Sequence, residues 1–370
     1  MNKSLYVCNT VYQILVAMWI KKTLNTNSNA DIIISNHMNG GKEICDRMRK
    51  LKLFDNCYFC ETKEYSYGGI LRDLSDDETS LLIHRHPEQY IKRVFPCECK
   101  YNCLFISNVD KFAQILFDAC SRRVRRCKLY LFEDGISTYT KAFEECYQLT
   151  RMLKTDFIHQ IVYKYIYNKR CIFGNVSGCY LFNPQFFDWS VDFPLIEMKK
   201  IDINDKDYVK NCNIVFDYHN QDKYDTKYIF MEESFFADGV PINDCEIVEE
   251  IARRVGKENI MVKIHPRNPI NRFKELGFKT NSNMSVPWEL IIMNDQQVCD
   301  STFITIASSS VLNPILIFGR RIKVYSIYSL INEKSKKQSY LSTSLWDYVK
   351  KIFLQYHDDI HIVDCVDEIS

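Results

Sequence analysis

Glycine and proline are scarce in this chain, at 11 and 9 of 370 residues, below the usual level of roughly 7% and 5%. That excludes a collagen-like, low-complexity or Pro-rich linker architecture. No apolar run reaches the roughly 18 residues a membrane-spanning helix needs. Excess charge is missing too: 48 Lys and Arg against 47 Asp and Glu leave +1. So small a net charge supplies no field to gather nucleic acid, and no nucleic-acid partner is expected. There is no GxGxxG, no P-loop and no GxSxG, so the signatures of dinucleotide, P-loop nucleotide and serine-hydrolase sites are absent. An anionic ligand would have to be held by a few local groups.

The composition is otherwise that of a folded protein, with 46% hydrophobic and 26% charged residues. At this length two domains are expected. Sixteen cysteines without an export signal read as free thiols in a reducing compartment. The opening residues Met1 to Cys8 read as a strand rather than a leader, so the expected location is cytoplasmic.

The first 135 residues alternate apolar runs with helical periodicity, the pattern of βαβ units around a parallel sheet. Strands are predicted at Leu5 to Cys8, Asp31 to Ser35, Asn56 to Cys60, Tyr101 to Ser107 and Cys127 to Phe132. Helices carry Val11, Ile14, Leu15, Met18 and Trp19, then Phe112, Ile115, Leu116 and Ala119. Residues 150 to 170 read as a basic amphipathic helix, and 183 to 227 as the interdomain connection. A second α/β pattern follows, with strands at Tyr228 to Met231, Ile260 to Ile264, Thr302 to Ile306 and Ile322 to Ser326. Its helices include one started by Asn243 or Asp244 and ended by Gly256, another over Pro287 to Met293, and one over Ser344 to Tyr356. The expected division is 1–200, 201–340 and a helical tail, 341–370, packing back on the first domain.

Asp134 follows a strand and precedes Gly135, so its carboxylate emerges at the carboxyl edge of a sheet, where a general base belongs; an ordinary turn explains it equally. Its neighbour Glu133 is expected to face the other way and orient the turn. The run Lys263-Ile264-His265-Pro266-Arg267 ends another strand. It groups two cations with an imidazole, as a leaving phosphate requires. His86-Pro87 lacks a clear strand before it and is set aside. Ser308, Ser309 and Ser310 sit between a strand and a helix, where hydroxyls and amides can meet an anion or simply form an N-cap. Glu289, in a helix's first turn, suits either the dipole or a ribose diol. The Cys57, Cys60, Cys97, Cys99 and Cys103 set could suggest zinc, but strand geometry argues against it. Asp76-Asp77-Glu78 and Asp358-Asp359 read as solvated acidic faces.

The order of Glu133-Asp134-Gly135, His265-Pro266-Arg267, the Pro287 to Met293 segment with Glu289, and Ala307-Ser308-Ser309 resembles bacterial sialyltransferases of the glycosyltransferase family 52 type. The opening Cys8 to Ala17, with Asn9, Thr10 and Gln13, is similar as well. Residues 140 to 225 match no motif. The resemblance implies a GT-B fold of two Rossmann-like domains across a cleft. It also implies an inverting, metal-independent transfer from CMP-sialic acid, with no cofactor. By that likeness Asp134 is the base and His265 assists the departing CMP phosphate. Lys263, Pro266, Arg267, Ser308, Ser309 and Ser310 would lie around that phosphate, and Glu289 at the ribose. Asn9, Thr10, Gln13, Glu133 and Gly135 would lie on the sialic acid and acceptor side. The family expectation for the acceptor is a galactose-terminated glycan of lipooligosaccharide or capsule. A homodimer and a peripheral contact with the inner membrane face are compatible with it. The rival readings are a transferase using another nucleotide sugar such as a glucosyl donor, a polysialyltransferase-like enzyme, and a non-catalytic nucleotide- or glycan-binding protein.

Overall fold

In the computed structural model the described residues are 3–26, 28–63, 87–95, 98–107, 110–124, 126–140, 176–191, 193–219, 222–283, 286–339, 341, 344–356 and 358–370. The basic segment 150–170, Asp76-Asp77-Glu78, His86 and Cys97 lie outside them. The chain forms two compact units, Met1–Lys199 with Ile214–Asp217, and Lys200–Asn213 with Tyr218–Ser370.

The first unit contains β1 (Lys3–Cys8), α1 (Val11–Thr23), β2 (Asn29–Ser35), α2 (Gly41–Leu51) and β3 (Asn56–Cys60). It continues with α3 (Pro87–Val94), β4 (Cys103–Ile106), α4 (Lys111–Arg123), β5 (Lys128–Phe132), β6 (Val176–Leu181) and β7 (Leu195–Glu197). The strands form one sheet in the order β3-β2-β1-β4-β5-β6-β7, with every pairing parallel. In β1, β2 and β4 almost every residue is buried. Burial on both faces explains why these strands read as continuous apolar runs rather than alternating ones. Thr10 caps α1 by accepting the Gln13 N–H at 3.2 Å, and Ile14, Leu15, Met18 and Trp19 are buried as their spacing requires.

After α5 (Lys206–Val215), the second unit runs through β8 (Tyr228–Met231), α6 (Asp244–Val255), β9 (Ile260–Lys263), α7 (Arg272–Glu275), β10 (Lys279–Thr280), α8 (Trp288–Asn294) and β11 (Thr302–Thr305). A 3-10 turn, Ser309–Leu312, leads into α9 (Asn313–Leu316), β12 (Lys323–Ser326), α10 (Glu333–Lys337), α11 (Ser344–Gln355) and β13 (Ile360–Ile362). Its parallel sheet has the order β10-β9-β8-β11-β12-β13. Each unit therefore starts in the middle of its sheet, builds outward one way, then crosses back, the order of a Rossmann sheet. Two Rossmann-like units in one chain are what the GT-B expectation requires. In such sheets ligands bind beyond the strand carboxyl ends where the order reverses. Those positions are β1/β4 in the first unit and β8/β11 in the second.

Four expectations need correction. The stretch read as a connection, 183 to 227, holds β7 and α5. β7 has only three residues, too few for a periodic signal. β6 also went unread, its apolar run interrupted by Ser177 and Gly178. The helix expected after Ser308 begins as a four-residue 3-10 turn, which carries little of a long helix's dipole. Neither Asn243 nor Asp244 caps α6 in the expected way. Asn243 stands at the N-cap without a side-chain hydrogen bond to the helix, and the Asp244 carboxylate, inside the first turn, accepts the adjacent Cys245 amide at 2.9 Å and the Arg272 guanidinium. The tail is not only helical, since β13 pairs in parallel with β12. The thiols weighed for zinc are kept apart by strand order. Cys57 and Cys60 lie in β3 and Cys103 in β4, with two strands between, about 14 Å at the usual strand spacing. Among the described residues no helix is long and apolar enough to cross a membrane.

Candidate functional site

At the carboxyl edge of the first sheet, β5 delivers Phe132 to Glu133, Asp134 and Gly135. Successive residues leave a strand toward opposite sides, and the two acids separate accordingly. Glu133 is 2% exposed. Its Oε1 accepts the Tyr12 hydroxyl at 2.8 Å, and its Oε2 accepts the Phe182 amide at 2.9 Å and the Tyr139 hydroxyl. It holds β5, β6 and α1 together, in place of the substrate contact that the sequence suggested. Asp134 is half-buried, with Oδ1 accepting from Thr10 Oγ1 at 3.4 Å. Its backbone is fixed independently of that carboxylate, by Thr138 Oγ1 accepting the amide at 2.8 Å and the carbonyl accepting from Ser137 at 3.1 Å. Gly135 has φ of +68° and open space where a Cβ would be. A glycine is required there by backbone conformation rather than by crowding.

The switch point supplies the rest of this edge. Asn9 donates through Nδ2 to Asp110 Oδ2 at 3.2 Å, joining the β1 and β4 loops. Asp110 also caps α4 through Ala113 N at 2.8 Å. Gln13 was expected to touch substrate, but it is fully buried and accepts the Asn9 amide at 2.6 Å; it shapes the loop. Asp110 was missed in the sequence, where the Ser-Asn-Val-Asp run reads as an ordinary helix start.

One stability prediction arises here. Glu133→Ala would leave a buried amide and a buried tyrosine hydroxyl without their acceptor, each orphan costing about 1–3 kcal/mol. Urea unfolding should show a loss of at least about 2 kcal/mol, and Glu133→Gln should recover part of it.

In the second unit β9 ends at Lys263, which is 5% exposed. Its Nζ donates to Ile264 O at 3.4 Å. Burial pushes its pKa down to about 8, against the pull of Glu289, Asp222 and Glu232. His265 follows at the sheet edge, its Nδ1 accepting the Arg267 amide at 3.2 Å. That hydrogen bond assigns the neutral ring's proton to Nε2. Burial first, then the neighbouring Arg267 and Lys263, push its pKa down to about 4. At neutral pH it is an uncharged N–H donor. Pro266 is exposed. Arg267 projects outward, 63% exposed, and donates to Ser234 Oγ at 2.6 Å with an ion pair to Asp238 at 3.3 Å.

Across the β8/β11 switch point Ser308, Ser309 and Ser310 are half-buried. The Ser308 and Ser310 hydroxyls are 2.7 Å apart, and the Ser308 amide donates to Thr305 Oγ1 at 3.0 Å. Glu289 Oε1 accepts from Asn313 Nδ2 at 2.6 Å, and burial raises its carboxyl. Within this unit, then, His265 and the serine loop stand at the ends of β9 and β11, on either side of β8. Sequence reasoning missed the pair Glu232-Glu233 at the end of β8. Glu232 Oε2 accepts the His265 amide at 3.0 Å and Glu233 Oε1 the Ala307 amide at 2.6 Å. In the sequence, two acids after a strand look like a solvated turn. Among the described residues no group of three His, Cys, Asp or Glu side chains is arranged for a metal ion. Asp359 of the acidic pair at 358–359 is bound to Arg321 at 2.8 Å.

A sequence model of the alpha-2,8-polysialyltransferase family matches residues 4–328. No curated protein matches the chain in sequence. Among solved structures it is similar to an alpha/beta-galactoside alpha-2,3-sialyltransferase of Photobacterium phosphoreum. That likeness has 10% identity and a TM-score of 0.49, over 100% of this chain and 99% of that one. It is also similar to UGT89C1 of Arabidopsis thaliana, with 9% identity and a TM-score of 0.46 over 97% and 84% of the two chains. The UDP-GlcNAc 2-epimerase of Neisseria meningitidis shares 11% identity at a TM-score of 0.42 over 96% and 91%.

Proposed function

The chain belongs to the alpha-2,8-polysialyltransferase family, and from that premise we propose that it moves a sialyl group from CMP-sialic acid to a glycan hydroxyl with inversion at the anomeric carbon. The linkage in the family's name makes the 8-hydroxyl of a terminal sialic acid the acceptor to test beside the galactose-terminated glycan expected from sequence. The observation that carries the reading is the placement of chemistry at both strand edges. A half-buried carboxylate ends β5, while a neutral imidazole, a buried ammonium and three serines end β9 and β11.

In the proposed reaction Asp134 takes the proton from the acceptor hydroxyl as its oxygen bonds to the anomeric carbon. The bond from that carbon to the phosphate oxygen breaks with its electron pair, and CMP departs. Negative charge gathers on the leaving phosphate, so donors in place before the reaction lower the barrier without reorganising. His265 Nε2–H, Lys263 and the Ser308, Ser309 and Ser310 hydroxyls fill that role, with Arg267 and Pro266 at the rim. Glu289 accepts from the ribose hydroxyls. Asn9, Thr10 and Gly135 line the acceptor edge, and Gln13 and Glu133 hold that edge in shape. No metal is part of the proposal.

EDTA-treated protein should release CMP from CMP-sialic acid, faster when a sialic-acid-terminated or galactose-terminated oligosaccharide is present, and should leave UDP-glucose intact. UDP release with no CMP release would replace the donor. Binding of CMP with no turnover on either acceptor would favour a nucleotide-binding protein.

A further inference from the structure

We propose that Glu232 and Glu233 are positioning residues, Glu232 setting the His265 loop and Glu233 setting the Ser308 loop. The inference rests on the reading of these loops as the leaving-group site. β8 lies between β9 and β11, and the two residues that follow it send their carboxyl groups to opposite neighbours. Toward β9, the Glu232 amide donates to Lys263 O at 3.1 Å while its Oε2 accepts from His265 N at 3.0 Å. One residue thus clamps both ends of the 263–265 segment. Toward β11, Glu233 Oε1 accepts from Ala307 N at 2.6 Å, fixing the residue that leads into the serines. Asn268, 1% exposed, joins the two halves of this arrangement. Its Nδ2 donates to Glu233 O at 3.0 Å and its amide to His265 O at 3.0 Å.

Both carboxyl groups are buried, at 3% and 6% exposure. A pair of buried acids is an expensive way to fill space, and apolar residues of similar volume would serve stability as well. What the carboxyls add is direction, because each holds one backbone amide at one point. They are maintained differently. Glu232 Oε1 accepts from Arg272 Nη2 at 2.9 Å, and Arg272 also pairs with Asp244 at 2.7 Å. Phe236 and Phe273 face the guanidinium at 4.8 and 5.6 Å. Glu233 accepts from backbone amides, and burial, with Asp244 nearby, pushes its carboxyl up to about 8. Burial raises the Glu232 carboxyl too, against the pull of Asn268, the His265 amide and Arg272; the first acid is tied to a guanidinium and the second to backbone amides.

The test compares Glu232→Ala, Glu232→Gln, Glu233→Ala and Glu233→Gln for kcat and KM with CMP-sialic acid, for CMP affinity by calorimetry, and for the His265 ring signals by NMR. Displacing a catalytic group by about 1 Å can cost about 10²-fold. Glu232→Ala should therefore lose kcat on that scale with KM little changed, and shift the His265 signals; Glu232→Gln, which still offers an oxygen to the amide, should recover part of both. Glu233→Ala should weaken CMP binding and raise KM about 10-fold, the lesser effect expected where one hydrogen bond of about 1.4 kcal/mol is lost. Glu233→Gln should restore them. Unchanged kinetics in folded Ala variants, or losses that only follow the folded fraction in thermal melts, would overturn the proposal. Should the Ala variants not fold, Glu232→Asp and Glu233→Asp, whose shorter side chains draw the carboxyl back from the His265 and Ala307 amides, take their place, and wild-type kcat, His265 signals and CMP affinity in both would overturn it. Wild-type protein that neither binds nor releases CMP would instead remove the leaving-group reading, and the His265 signals would still report whether Glu232 sets that loop.

Discussion

Asp134→Asn should lower kcat/KM for sialyl transfer by about 10²–10⁴-fold, the range expected when a general base is removed, and should leave CMP affinity within about twofold. The substitution keeps the size of the side chain and an oxygen for Thr10 Oγ1, now 3.4 Å from the carboxylate. The turn itself does not depend on that carboxylate, since Thr138 and Ser137 hold the Asp134 amide and carbonyl. A loss of rate would therefore report a lost proton acceptor rather than a collapsed loop. CMP affinity belongs, on the proposed reading, to groups of the second unit. Single-turnover transfer and calorimetry with CMP separate the two quantities. Transfer within about threefold of wild type would move the base elsewhere, and Asp110, on the same edge and joined to Asn9, would be the next residue to change.

The contrast with Glu133 shows what the sequence could and could not say. The strand leading to Glu133-Asp134-Gly135 is plain in the apolar run to Phe132, and the alternation of side chains along a strand already sends the two acids to opposite sides. β1, β2 and β4 were legible for the same reason: buried parallel strands are continuous apolar runs between helical segments. β6 and β7 were not, because a glycine and a three-residue length leave no periodic signal. Glu232 and Glu233 were invisible on other grounds. Their importance lies in strand order, and only when β8 is seen between β9 and β11 do two consecutive acids become ties to two different loops. The same holds for Asn313, far from Glu289 in sequence and 2.6 Å from it in space.

His265→Ala should cost about 10²–10³-fold in kcat, the scale for removing one preorganised donor to a developing anion, and should leave KM less affected. Its protonation gives a second signature. In the free protein the ring is neutral at pH 7, its pKa pushed to about 4 by burial, Arg267 and Lys263. A bound phosphodiester places negative charge beside Nε2 and raises that pKa, so binding takes up protons and affinity should rise as pH falls from 7 to 5. An uncleavable CMP diester analogue tests this cleanly, because its phosphate does not titrate in that range; His265→Asn should flatten the dependence. Stability carries the opposite trend. A histidine whose folded pKa lies below its unfolded 6.5 contributes stability that is present above 6.5 and is lost as pH falls toward 4. Glu233, raised from 4.5 to about 8, contributes stability present below 4.5 and lost as pH rises toward 8. Over the shared window of 4.5 to 6.5 the two slopes oppose each other. Relative to the wild type, urea midpoints across that window should fall more steeply with rising pH in His265→Asn and rise more steeply in Glu233→Gln. Parallel curves for the two variants would mean that neither group titrates as its surroundings dictate, and the neutral imidazole donor would have to be abandoned.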